Sequence, residues 1–199
     1  MSAGGIPTVG ILMAAGRGRR FDPEGLRNKL LQPLPEAGGE PLVAASARKL
    51  LAAVPRVVAV VAPNDGGVAA LLASLGCDVT VCADADSGMA ASLTHAIRRS
   101  LDVFSPVDGW LVALGDMPHV APATLQALAA ALASGAGIAA PTLHGRRGNP
   151  VGFGRIHQDA LLALRGEQGA RGLLQAFPVT EIAVDDPGIL RDIDTPADL

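Results

Sequence analysis

The sequence TVGILMAAGRGRRF runs from Thr8 to Phe21 and joins two patterns that belong together in one kind of protein. Its first seven residues, Thr8 to Ala14, form an almost unbroken apolar run, as in a strand covered on both faces. Beyond them Ala14, Ala15, Gly16 and Gly18 have little or no side chain, so backbone N–H groups there can approach an anion closely and form a nest. Arg17, Arg19 and Arg20 supply counter-charge, with Arg27 and Lys29 further on. A phosphate suits this loop. A strand-to-helix turn with solvated arginines is the plainer reading. Two standard phosphate loops are excluded: G-x-x-x-x-G-K-[ST] is absent, and G-x-G-x-x-G fails because Phe21 stands where the third glycine belongs.

Outward from this stretch, short apolar runs alternate with alanine- and leucine-rich segments of helical period. Strands are expected at Thr8 to Ala14, Arg56 to Ala62, Asp78 to Cys82, Gly109 to Gly115, Gly137 to Pro141 and Val179 to Val184. Helices are expected at Pro41 to Ala53, Gly67 to Leu75, Ala90 to Leu101, Pro122 to Leu132, Ile156 to Leu164 and Ala170 to Ala176. Strict alternation implies an α/β fold, and runs such as VVAVVA suit a parallel sheet. The expected architecture is a Rossmann-like three-layer α/β/α fold with a mostly parallel central sheet. No repeat or linker divides residues 1–199, so one domain is expected, with a turn-rich insertion at Leu143 to Gly154.

Composition narrows the function. In 199 residues, 49% are hydrophobic, 18% charged and only 3% aromatic, which describes a globular chain with a core of small aliphatic residues. A net charge of -3 gives no global attraction to nucleic acid. No apolar stretch reaches the roughly 18 residues of a membrane span, and the N-terminal run lacks the preceding basic residues of a secretory signal. A cytoplasmic protein is expected, with neither nucleic acid nor membrane as partner. Cys77 and Cys82 lack metal-ligand spacing and, on a strand, would face opposite ways; they read as small buried hydrophobes.

Binding sites in such sheets gather at the carboxyl ends of strands. In WLVALGDMPHV, Asp116 directly follows an apolar strand at that edge. It reads either as a turn aspartate or as a Mg2+ ligand, since magnesium takes one or two carboxylates and fills its other positions with water and phosphate oxygens. A second carboxylate is available in the C-terminal RDIDTPADL, where Asp192 and Asp194 point the same way if the segment is extended. Asp194 or Thr195 before Pro196 also reads as an N-cap.

Six short motifs in order resemble the MobA-like nucleotidyltransferases, and most closely the molybdenum cofactor cytidylyltransferases. They are AAGRGRRF followed by KLL, then GMAASL (Gly88 to Leu93), GDMP, GRRGNPV, EQGAR and DIDTPADL. The resemblance runs nearly end to end. It implies transfer of CMP from CTP to the terminal phosphate of molybdopterin-bound molybdenum, with release of pyrophosphate. It also implies Mg2+, or Mn2+ in its place, on Asp116 and Asp194, and a triphosphate held by Arg20, Lys29 and the glycine-loop amides. Gly88 and Ser92 are expected near the nucleotide base. Arg146, Arg147, Asn149 and Arg171 are expected toward the acceptor, and a recipient molybdoenzyme is a possible partner.

Certain positions depart from the family pattern. The connection FDPEGLRN between Arg20 and Lys29 is longer than usual, which leaves Arg27 as an alternative to Lys29. Asn149 stands where relatives carry histidine, and Glu167 where they carry aspartate. Of His95, His119, His144 and His157, only His119 follows the metal aspartate closely enough to bear on chemistry. Guanylyl transfer, transfer to another small phosphate such as a sugar phosphate, a non-catalytic carrier of the cofactor and a nicotinamide enzyme are the alternatives.

Overall fold

A computed structural model of the chain describes residues 8–167 and 169–199; Gln168 of the EQGAR motif lies outside the described residues. The strands are β1 (Thr8–Ala14), β2 (Pro33–Leu34), β3 (Glu40–Pro41), β4 (Val57–Val61), β5 (Asp78–Val81), β6 (Gly109–Leu114), β7 (Ile138–Leu143), β8 (Arg146–Arg147), β9 (Val151–Gly154) and β10 (Thr180–Ala183). The helices are α1 (Leu42–Ala53), α2 (Val68–Ser74), α3 (Met89–Phe104), α4 (Pro122–Ala133), α5 (Gln158–Leu162) and α6 (Arg171–Ala176).

The main sheet runs β10-β7-β9-β6-β1-β4-β5, with β8 paired to β7. Strand β1 pairs in parallel with both β4 and β6, while β9 is antiparallel to its neighbours β6 and β7. Alternation along each strand then divides the apolar side chains between two faces. Val9 and Ile11 of β1 join Val58, Val60, Trp110 and Val112 beneath α3, whereas Leu12 and Ala14 join Ala59, Val61, Leu111 and Ala113 beneath α1 and α4. Both layers are closed: all five residues of β4 are buried. Each fully buried valine or leucine contributes about 1.5–3 kcal/mol relative to exposure. The expected Rossmann-like three-layer α/β/α fold is therefore the observed one.

The segment at 143–154 is more than a turn-rich insertion. Its second half, Val151–Gly154, is a strand lying inside the sheet. Gly152 and Gly154 hide this from sequence pattern because glycine weakens any strand reading. Packing explains one of them: a Cβ on Gly152 would meet Leu132 Cδ1 of α4 at 2.9 Å. The cysteines are free and buried, Cys77 in one core layer and Cys82 in the other, and burial pushes the Cys77 thiol up to about 11. Among the described residues no helix is long and apolar enough to cross a membrane.

The fold positions a crevice where β1 has neighbours on both sides. The chain leaving β1 and the chain leaving β6 emerge together at the carboxyl edge, tied by Gly115 N–H donating to the Met13 carbonyl at 2.9 Å. That edge carries both sequence candidates, the glycine loop and Asp116.

Candidate active site

Among the described residues, the N–H groups of residues 16–20 donate to no protein acceptor. Over Gly16 the space is open, with no atom within 4 Å of a Cβ built there. Gly18 turns the chain at φ +59°, and its carbonyl accepts from Phe21 N–H at 2.9 Å and Asp22 N–H at 3.0 Å. The loop thus presents spare donors over an accessible surface, as an anion requires.

The longer connection after Arg20 leaves Lys29 in the site. Asp22 is buried and gathers the connection on itself, its Oδ2 accepting from Arg27 N–H at 2.6 Å and its Oδ1 from Glu24 N–H at 3.2 Å. Asn28 then caps the turn Lys29–Leu31, accepting from Leu30 N–H at 2.9 Å while its amide donates to the Asp65 carbonyl at 2.7 Å. Arg27 does not take the place of Lys29. It turns away, with its guanidinium 5.8 Å from the Phe21 ring.

Lys29 Nζ lies 2.7 Å from Asp116 Oδ2 and 3.5 Å from Asp194 Oδ1, and Arg20 pairs with Asp194 as well. The side chains of Asp116 and Asp194 are 25% and 23% exposed, so this is a half-dry charge cluster open on one side. A main-chain bond fixes the pair: Ile193 N–H donates to the Asp116 carbonyl at 2.9 Å. Thr195, not Asp194, caps the last turn, in a reciprocal capping box with Asp198. The nearby Asp192 carboxyl is pushed above its usual range, first by burial and then by the Asp194 and Asp116 carboxylates.

These residues fit a divalent metal. Two carboxylates converge on one cationic position, which the lysine ammonium marks. Among the described residues no group of three or more His, Cys, Asp or Glu side chains could hold a metal ion alone. Substrate oxygens and water would complete the shell, as is usual for magnesium.

A cleft of about 530 Å³ joins these parts. Of the expected residues, Ala15, Gly16, Arg17, Gly18, Arg20, Lys29, Gly88, Ser92 and Asp116 line it. Ala14 ends β1 in the core and is not on the wall, and Asp194 acts through Lys29 and Arg20. Arg146, Arg147, Asn149 and Arg171 do not line the cleft; Arg147 pairs instead with Glu181 at 2.6 Å. None of the four histidines lines it either, and His95 shares a 2.8 Å bond with the Thr80 hydroxyl. Asp86 is a wall residue that sequence reading did not name, and Glu167, named there only as a departure from the family pattern, lies on the wall as well. Asp86 pairs with Arg17 across the mouth. No local pattern marks Asp86, because its contact with Arg17 is made by segments far apart in the chain.

Residues 10–182 match the family described as MobA-like NTP transferase domain. The chain is 32% identical over 165 residues to the bifunctional protein GlmU of Azorhizobium caulinodans, an alignment covering 80% of this chain and 34% of that protein. It thus spans about a third of the length of the curated relatives it matches. The crystal structure of Rv0371c from Mycobacterium tuberculosis H37Rv is similar with a TM-score of 0.81 and 30% identity, covering 96% of this chain and 95% of that one. Rv0371c is also known in complex with manganese. Molybdopterin-guanine dinucleotide biosynthesis protein A from Archaeoglobus fulgidus shares the fold, with a TM-score of 0.67 at 19% identity over 96% of this chain and 94% of that one. Because the family match runs through the glycine loop, Lys29 and Asp116 alike, this chain belongs to the MobA-like NTP transferase domain family.

Proposed function

We propose that the enzyme transfers CMP from CTP to the terminal phosphate of a molybdopterin-type acceptor and releases pyrophosphate. The observation that carries the transferase chemistry is the convergence of Lys29, Asp116, Asp194 and Arg20 beside a glycine loop with spare amides. The six sequence motifs support the cytidylyl and molybdopterin assignment. Mg2+, or Mn2+ as in the manganese complex of Rv0371c, is assigned to Asp116 and Asp194; when bound it withdraws charge from the α-phosphate.

The chain's own residues supply the rest. Amides of residues 16–18, with Lys29 and Arg20, hold the β- and γ-phosphates and take up the charge that grows on departing pyrophosphate. An acceptor phosphate oxygen forms the new bond to the α-phosphorus as the bond to the β-phosphate bridging oxygen breaks. That acceptor is already ionised, so no strong general base is required, in keeping with a cleft wall free of histidine among the described residues. Arg146, Arg147, Asn149 and Arg171 are assigned to the acceptor from outside the cleft wall.

A second reading is transfer to another small phosphate, such as a sugar phosphate. It is favoured by the position of those four residues off the cleft. The discriminating experiment is pyrophosphate release with Mg2+ and molybdenum cofactor, comparing CTP with GTP. Release with CTP is expected, and Asp116→Ala is expected to lower it at least about a hundredfold, as for loss of a group acting on transition-state charge. Preference for GTP would replace the base assignment, and release only with a sugar phosphate would favour the second reading.

A further inference from the structure

Four cations line the cleft, Arg17, Arg19, Arg20 and Lys29, with Asp86 paired to Arg17 and Asp116 to Lys29; Ala85, Gly88, Met89, Ser92 and Glu167 line it as well. A triphosphate is drawn to the cations and the loop amides, which leaves the nucleoside for the second group. There the segment 164–167 lies directly on the start of α3. Gly88 has φ +110°, and a Cβ on it would sit 2.7 Å from the Gly166 carbonyl oxygen and 3.0 Å from the Glu167 carboxyl carbon. Close contact of these two backbones brings the Glu167 carboxylate to the wall.

The carboxylate is uncommitted. The amide of the first turn that could have bound it, Ala90 N–H, donates to the Gly166 carbonyl at 3.2 Å instead. Asp86, the other acidic group of this wall, is paired with Arg17, whereas Glu167 makes no ion pair among the described residues. An ionised carboxylate only accepts hydrogen bonds. It therefore rewards a base edge carrying an amino group and repels one carrying a carbonyl at the same position.

We infer that Glu167 is a specificity-determining residue that accepts from the exocyclic amino group of the base and so selects cytosine over uracil. Cytosine offers N4–H2 where uracil offers the O4 acceptor, the same contrast by which carboxylates read cytosine in nucleic acid. This inference rests on the nucleotide-binding reading above. Selection comes as much from the repelled carbonyl as from the attracted amine.

The test is equilibrium binding of CTP, UTP and dCTP with Mg2+, without acceptor, to the wild-type enzyme, Glu167→Leu and Glu167→Gln. One charge-assisted hydrogen bond is expected to favour CTP over UTP by about tenfold in the wild type. Glu167→Leu should erase that ratio by weakening CTP and dCTP equally and tightening UTP, which loses the repulsion at O4. Glu167→Gln, which adds a donor for O4, should reduce the ratio. An unchanged ratio in both variants, or equal weakening of CTP and UTP, overturns the inference alone. If neither CTP nor UTP binds, the nucleotidyl-transfer reading falls with it.

Discussion

Asp194 and Asp198 stand four residues apart in one short acidic segment, and their surroundings give them opposite tasks. Asp198 Oδ2 accepts from the Thr195 hydroxyl at 2.8 Å and the Thr195 N–H at 2.7 Å, which holds its carboxyl below the ordinary range. That capping releases Asp194 to face Lys29 and Arg20. Titration can also be argued at a single residue for His157, which is buried against the Phe177 ring with centroids 4.6 Å apart. Burial lowers its pKa from the ordinary 6.5. Below about 6.5 the unfolded chain takes up a proton that the folded protein resists, so this group destabilises the fold progressively as pH falls, until the lowered folded pKa is passed. Replacing His157 with Gln should shrink the fall in Tm between pH 7 and pH 5, measured by thermal unfolding monitored by circular dichroism. An unchanged acid slope would show that other groups set it.

At the scale of elements, the stretch after β10 behaves as a strap across the carboxyl edge. Asp186 is its anchor: buried, it accepts from Ala121 N–H at 2.8 Å, the Thr124 hydroxyl at 2.6 Å and Gly188 N–H at 2.9 Å, joining the strap to the start of α4. Ile189 accepts from Asn149 N–H at 2.9 Å, which ties the strap to the turn before β9. No side chain fits between these backbones, since a Cβ on Gly188 would overlap the His119 carbonyl and one on Gly148 the Ile189 carbonyl. The same strap delivers Asp194 to Asp116. Substituting Asp186→Ala strands buried donors and should cost about 2–3 kcal/mol of stability in denaturant titration. It should also lower kcat more than it raises KM for the nucleotide, because the glycine loop is untouched. Equal losses in both would mean that the strap serves the fold only.

For the whole molecule, β9 joins what would otherwise be two sheets. It lies between β6, beside the cleft, and β7, which carries β8 and β10. Gly152→Val would force a side chain into Leu132 and should destabilise by about 1–3 kcal/mol through overpacking, read as a lower midpoint of unfolding. A midpoint unchanged from wild type would show that α4 can withdraw at little cost. The parallel half of this sheet is legible in the sequence because each of β1, β4 and β6 is a near-continuous apolar run, and burial on both faces demands that pattern whatever the neighbours are. The same holds for the glycine loop and for Asp116, whose places follow from the ends of those runs. Strand β9 was not legible, since its glycines answer to Leu132 of a helix earlier in the chain. The residues alone left Asp192 and Asp194 alike, with Asp194 and Lys29 named through the family resemblance, and they did not show the presence of Glu167 at the cleft. Local sequence fixes which backbone conformation and burial each segment favours; only the packed structure decides which side chains from distant segments share one charged site.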